Sequence, residues 1–304
     1  MRRTMRHHET AGIPEASDIL TEATALQQSM WTEVPCSTGA MLPGWTTAAE
    51  LFSSPSELQE FLDYEGSFDP GVDLKSRAAF LMSDYCYIFF MATVPLLVGR
   101  GIVPDMSPDT FSLQFYTHHG EHDGEQMTVR RARVRLLSPQ IFADQDDGPH
   151  STVTDHAGLC EHFRMGVEQH FRPLVEALAK RTGFSKNAQW RLVGDAIAGR
   201  FLDVGRRFGC LADAMSTAMA IVKVQGSPLN NRQLGYFDLT LHDSALKEPF
   251  TYTFRARGGC CRYYTVKGAE KCPTCVLKSS DERDACLLQE MRAHFCLTQN
   301  HCFS

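Results

Sequence analysis

The chain has 304 residues, 43% of them hydrophobic and 22% charged, with 36 acidic against 30 basic side chains for a formal net charge of −6. That length and apolar content are enough to bury a substantial core in one large domain or two small ones. The acidic balance argues against a nucleic-acid binder, and no apolar run follows Arg2, Arg3 and Arg6, so neither a secretion signal nor an anchor is expected and a cytoplasmic location is.

Residues 1–45 mix polar, small and isolated apolar side chains around Pro14, Pro35 and Pro43, and the expectation there is an irregular arm. A first helix is expected from Ser54, where Ser-Pro-Ser-Glu57 offers a cap, a proline at the first helical position and a capping-box glutamate; Gly66 should follow its end. An apolar helix over 74–97 comes next, closed by Gly99 and Gly101. Its stretch from Ala78 to Val98 reaches the ~20 residues of a spanning helix. Asp84 and Pro95 inside it, aromatics along its length and no charge asymmetry at its flanks favour the central helix of a soluble core. Peripheral contact with the inner membrane surface is the alternative its composition leaves open.

The period then changes. Phe111–Tyr116 and Met127–Leu137 read as strands of a hairpin, with Gly120 and Gly124 at the connection. After acidic residues 144–147, a helical region runs from Asp155 to Arg181 with Pro173 bending or splitting it, followed by helices over 186–208 and 211–224. Tyr236–Leu241 and Phe250–Arg255 read as a second hairpin, which delivers the chain to a cysteine-rich segment. The expected fold is α+β: a predominantly helical domain with two short β-hairpins and a C-terminal four-cysteine segment. The expected divisions are an arm over 1–45, a helix-rich domain over 46–255, the cysteine segment over 256–280 and a tail helix over 281–304.

Cys260 and Cys261 are adjacent, ten residues intervene, and Cys272 and Cys275 follow, so four thiols occupy sixteen positions. Core packing spreads small apolar residues over many elements, whereas this clustering is that of ligands. A disulfide pair is a lesser alternative, because a chain of this length has no need of such staples and a reducing compartment would not keep them. Four thiolates suit a closed tetrahedral zinc site. The adjacent pair suits a binuclear iron-sulfur cluster at least as well, provided the backbone turns sharply. Gly258 and Gly259 offer that turn, by tolerating positive φ and letting main-chain amides approach the sulfurs.

The run Arg257-Gly-Gly-Cys-Cys-Arg-Tyr-Tyr-Thr-Val, with Cys-Pro-Thr-Cys-Val-Leu-Lys278 after the gap, resembles the C-terminal signature of the FhuF ferric siderophore reductase family. The resemblance covers roughly 255–278, and it implies a [2Fe-2S] cluster on Cys260, Cys261, Cys272 and Cys275. It further implies one-electron reduction of Fe(III) held by a siderophore, with release of Fe(II) in the cytoplasm. More weakly, the segment with Trp190 and the following Leu-Val-Gly-Asp195, and the aromatic run from Tyr85 to Phe90, are similar to parts of that family. Family chains commonly stop soon after the last ligand, whereas this one continues for 29 residues through Cys286, Cys296 and Cys302. Other readings of the four cysteines are a zinc-stabilised, non-catalytic binding module and a relative of siderophore-biosynthesis proteins.

The remaining candidates have plainer readings. His118, His119, His122, Asp123 and Glu125 carry metal-binding groups but fall at an expected hairpin tip, where a solvated role suffices. Cys36, Cys86, Cys160 and Cys210 lie singly and read as packing residues, as do Cys286 and Cys296 on the tail helix; Cys302 reads as an exposed thiol. Arg255, Arg257, Arg262, Lys267, Lys271 and Lys278 form either a solvated face or a cationic surround that favours a reduced cluster and attracts an acidic partner. Tyr263 and Tyr264 could shield the centre or meet a substrate. No G-x-G-x-x-G, P-loop or G-x-S-x-G motif is present, so electrons are expected from a separate ferredoxin-like or flavoprotein donor.

Overall fold

In a computed structural model, which describes residues 16–122, 125–145, 149–243, 246 and 248–300, the core forms around one long apolar helix. The elements are α1 (Ala16–Met30), β1 (Cys36–Thr38), β2 (Thr46–Thr47), α2 (Ala48–Ser53), α3 (Pro55–Ser67) and α4 (Leu74–Arg100). Then come β3 (Ile102–Pro104), β4 (Phe111–His122), β5 (Glu125–Leu136), β6 (Ile141–Ala143) and β7 (Ser151–Val153). α5 (His156–Thr182), α6 (Lys186–Phe208), α7 (Leu211–Val222), β8 (Gly235–Leu241), β9 (Phe250–Ala256) and α8 (Ser280–Asn300) complete the chain. The fold is α+β with more helix than sheet, as the sequence leads one to expect.

Asp73 caps α4 by accepting from Ser76 N at 2.7 Å, and Gly101, at φ 65°, closes it in the left-handed conformation. The helix is long and apolar enough to cross a membrane, but 72% of its most apolar window is buried inside the protein. Phe89, Phe90, Met82 and Leu96 have no exposed surface, and they pack against α1, α3, α5 and above all α6. Pro95 deprives the Met91 carbonyl of its helical donor, and Gln27 Nε2 from α1 replaces that donor at 3.0 Å. Pro173 does not split α5 into two helices: it sits on an exposed face where solvent can satisfy the freed carbonyl.

Residues 16–45 correct the expectation of an irregular arm. α1 buries Leu20, Ala23, Thr24 and Gln27, and β1 pairs in parallel with β5 through Cys36↔Val134. The i, i+3, i+4, i+7 period is present, but half of it is carried by threonine and glutamine, which hides it from a hydrophobicity reading. Gln27 is held by main-chain bonds at both ends of its amide, donating to Val34 O at 2.9 Å and accepting from Cys36 N at 3.2 Å.

Ser54 and Pro55 start α3 as expected, with Ser54 Oγ accepting from Glu57 N at 3.3 Å. The reciprocal capping box stands one helix earlier, at Thr47 and Glu50. Gly66 lies inside the last turn of α3, not after it, because the Arg77 guanidinium occupies the space a Cβ would need.

The first hairpin is longer than its apolar alternation suggested: β4 and β5 pair without interruption from Phe111↔Leu136 to His122↔Glu125, flanked by β1 and β2. The short strands β3, β6 and β7 form a sheet of their own that the sequence did not suggest. The second hairpin pairs Gly235↔Ala256 through Leu241↔Phe250 and ends one residue before Arg257.

Candidate functional site

The cysteine segment leaves β9 and is fastened at two places to helices remote in sequence. The first is Asp195, buried in the middle of α6. Its carboxylate accepts from Gly258 N at 2.7 Å and Gly259 N at 2.9 Å, and it pairs with Arg257 Nε at 3.4 Å. Arg255 donates to the Asp195 main-chain carbonyl. Burial raises the Asp195 pKa, opposed by Arg255, the two glycine amides and Arg257. The second fastening is the N-terminus of α4, where Arg262 donates to Ser76 Oγ at 2.9 Å and to Asp73 Oδ2 at 2.8 Å. Thr265 Oγ1 adds a bond to Ser76 Oγ at 2.9 Å.

Gly258 and Gly259 correct a detail of the sequence reading. Neither has a positive φ, and their amides serve Asp195 instead of the sulfurs. What they provide is closeness: a Cβ on Gly259 would stand 3.0–3.1 Å from the main chain and Cβ of Arg191 and the amide of Leu192, and one on Gly258 would meet Asn231. The turn itself is made at Arg262, which at φ 60° is the one non-glycine residue with positive φ among those described. Its two bonds to the start of α4 hold a conformation that costs an ordinary residue about 1 kcal/mol or more.

Within this loop Cys261 and Cys272 come together. Arg257 Nη1 donates to Cys261 Sγ at 3.7 Å and to Cys272 Sγ at 3.6 Å, long contacts of the kind sulfur makes. A hydrogen bond from the Cys272 thiol pulls the Cys261 pKa down to about 5 against burial, with Arg257 adding to the effect; the same bond drives Cys272 up. Cys275 is buried, within electrostatic reach of Cys272, and its amide closes a turn onto Cys272 O at 3.0 Å. Cys260, half buried, directly precedes Cys261. Among the described residues no three His, Cys, Asp or Glu side chains converge closely enough to hold a single ion, so the loop brings two of the four thiols into contact but does not gather the set around one point.

The remaining sequence candidates separate by location. Cys36, Cys86 and Cys160 are buried and Cys210 is half buried at the start of α7. Burial raises the Cys36 thiol to about 12, which makes it inert. Cys286 is half buried and accepts from Lys278 Nζ at 3.0 Å, so it faces the loop rather than the core, while Leu287 and Met291 bury that side of α8. The Cys296 side chain and Cys302 lie outside the described residues. At the first hairpin His119 Nδ1 meets Thr128 Oγ1 at 3.1 Å; the side chains of His122, Asp123 and Glu125 lie outside the described residues. Tyr263 and Tyr264 are 52% and 41% exposed, so they do not seal the loop from solvent.

Cys261 opens onto a cavity of about 280 Å³ walled by Tyr87, Asp195, Arg200, Arg255 and Arg257. Of these walls, Arg255 and Arg257 were legible in the sequence as a candidate cationic surround, whereas Tyr87 and Arg200 were not assigned to a site. Asp195 stands 62 residues before Arg257, and only its place in the Leu-Val-Gly-Asp run drew notice.

Residues 257–277 match the family model of the FhuF 2Fe-2S C-terminal domain, and no curated protein matches the chain. The donor chemistry suits such a cluster, since Cys260, Cys261, Cys272 and Cys275 are four free thiols of one loop, two of them already in contact. Arg257 supplies a cation to two of the sulfurs, and buried Asn231 Nδ2, without a partner, remains as a spare donor against Gly258. The chain thus carries, at residues 257–277, a FhuF-like C-terminal domain whose cofactor is a [2Fe-2S] cluster.

Proposed function

We propose that the protein is a ferric siderophore reductase that uses Cys260, Cys261, Cys272 and Cys275 as the cluster ligands. When bound there, a [2Fe-2S] cluster supplies one electron at a time at a potential set by its surroundings. The substrate iron accepts one electron and passes from Fe(III) to Fe(II). Hard siderophore oxygens hold ferrous iron far more weakly, so the metal leaves and the ligand survives.

The observation that carries this reading is the position of Cys261. It belongs to the matched segment and also lines an open cavity, so a chelate entering that cavity approaches a ligand sulfur directly. The protein's own groups do the positioning. Asp195 and Arg262 hold the two ends of the Cys260–Cys261 turn on α6 and α4, and Arg257 offsets the negative charge of the thiolates. Exposed Tyr263 and Tyr264 beside the ligands offer a face for a donor protein. A reduced ferredoxin-like or flavoprotein partner resupplies the electron, in keeping with a sequence that lacks nucleotide-binding motifs. We place the protein in the cytoplasm, where such donors are kept reduced. The burial of α4 favours a free protein over one held to the inner face of the membrane.

The test is anaerobic purification with iron and sulfide counted per chain, followed by dithionite reduction and mixing with a ferric siderophore in the presence of a ferrous-specific chelator. Stoichiometric Fe(II) trapped from the reduced protein, and none from the oxidised one, is the expected result. A cluster-loaded protein that is reduced by dithionite yet leaves every ferric chelate untouched would overturn the assignment.

A further inference from the structure

Arg255 feels the charge of Asp195 but makes no direct ion pair with it. It is the sixth residue of β9, enclosed between that strand and α6, and its guanidinium donates to the main-chain carbonyl of Asp195. Among the described residues no carboxylate makes an ion pair with it. The Asp195 carboxylate is already occupied by two amides and Arg257, and Asp203 is shared by Arg200 at 2.8 Å and Arg206 at 3.9 Å. Burial lowers the Arg255 pKa, with the Asp195 charge opposing it and the neighbouring Arg257 and Arg200 adding to the fall. Three guanidiniums, Arg200, Arg255 and Arg257, face one carboxylate on this cavity wall, and the one that makes no direct ion pair is a place for an anion.

The cavity it lines is the one that reaches Cys261. Arg200 forms a further wall, its guanidinium 5.1 Å from the centre of the Tyr87 ring. A second cavity of about 260 Å³ lies on the other side of Tyr87, but it sets Glu33 and Asp84 against Arg130 and Arg131 and is balanced in charge. Of the two cavities that Tyr87 lines, the one beside Cys261 carries the positive excess. At about 280 Å³ that cavity is smaller than the pockets that enclose drug-sized ligands, so it admits one arm of a chelate and leaves the metal at its mouth.

We infer that this cavity selects the substrate by charge: Arg255, helped by Arg200, holds a carboxylate or catecholate arm of an anionic ferric chelate beside Cys261, in preference to neutral trihydroxamate complexes. The inference rests on the reductase reading for its biological sense but not for its test, because binding is measured separately from electron transfer. A guanidinium pair at this position also favours the product, since adding an electron makes the chelate more negative.

The test uses redox-inert gallium(III) complexes with cluster-loaded protein: gallium tris-catecholate and gallium citrate as anionic probes, and a gallium trihydroxamate as the neutral one, titrated by calorimetry. The anionic probes should bind more tightly, with affinity falling as salt is raised. Arg255→Gln should weaken them by roughly tenfold to a hundredfold, the loss of one charge-assisted hydrogen bond, and leave the neutral probe unchanged. Arg255→Lys should retain most of the affinity. If Arg255→Gln does not fold, Arg200→Gln together with the salt series makes the same measurement. Equal binding of anionic and neutral probes, or anionic binding indifferent to these substitutions and to salt, would overturn the inference while leaving reductase activity standing. Conversely, charge-selective, Arg255-dependent gallium binding in a protein that reduces no ferric chelate would uphold the anion site and remove the reductase reading.

Discussion

Replacing Asp195 with alanine removes the fastening between α6 and the Cys260–Cys261 turn, and the cost can be worked from the bonds it makes. Gly258 and Gly259 are buried, and each would lose its acceptor, at about 1–3 kcal/mol for each unsatisfied buried donor. Arg257 would lose its carboxylate, and breaking a buried ion pair by removing one partner costs about 3–5 kcal/mol. These contributions do not add fully, because Asp195 stands on the wall of an open cavity from which water can reach the freed groups. A net local destabilisation of about 3 kcal/mol is expected, which corresponds to about a hundredfold in the open population of the loop. Asp195→Asn keeps the shape and one accepting oxygen but loses the charge and one acceptor, so it should fall between alanine and the wild type. The assay is iron retained per chain over time after anaerobic dilution into a chelator, with amide exchange of 257–277 read in parallel. Alanine should release iron about a hundredfold faster while the exchange of α4 stays unchanged. Retention at the wild-type rate in Asp195→Ala would refute the claim that this carboxylate holds the loop.

Cys272→Ser should abolish or severely deplete the cluster, read as lost visible absorption and iron below that of the wild type even after reconstitution; a fully loaded, active variant would sink the ligand assignment. Gly259→Ala forces a methyl group against the main chain of α6, and overpacking of that kind costs about 1–3 kcal/mol, so a lower melting temperature and weaker iron retention are expected. His170 carries a pH prediction. It is buried between the Tyr85 hydroxyl at 2.7 Å and Met106 O at 2.8 Å, and burial lowers its pKa from 6.5 to about 3. The folded state then binds fewer protons than the unfolded state between those two values. His170 therefore costs no stability above pH 6.5, and stability falls by up to about 1.4 kcal/mol for each unit of pH lowered toward 3. Denaturant midpoints of wild type and His170→Gln across that range should converge as pH falls; parallel curves would rule out this histidine as the acid-sensitive group.

Most of the helices were legible because they announce their ends. Ser54-Pro55 starts a helix where the sequence places one, and α4, α5 and α6 lie where the sequence leads one to expect helices, α4 and α5 capped by Asp73 and Asp155. α1 escaped notice because Thr24 and Gln27 occupy buried positions that a hydrophobic pattern expects to be apolar. Glycine was readable as a requirement but not as a reason. At Gly66 and Gly259 it makes room for another side chain or main chain, and nothing local distinguishes that from a turn.

By itself the sequence determined where the donor set of the cofactor lies. Four thiols in sixteen positions, with a glycine pair before them, confine a donor set to a short loop whatever the rest of the chain does, because ligand type and loop length are properties of a contiguous segment. Only the tertiary structure decided what surrounds that loop. Asp195 from α6, Ser76 and Asp73 from the start of α4, and the arginines that line the cavity at Cys261 come from segments as many as 189 positions away. Their meeting depends on how α4 packs against α6. That packing follows from burying two long helical faces against each other, and no spacing along the chain encodes which polar side chains such burial will bring to one place.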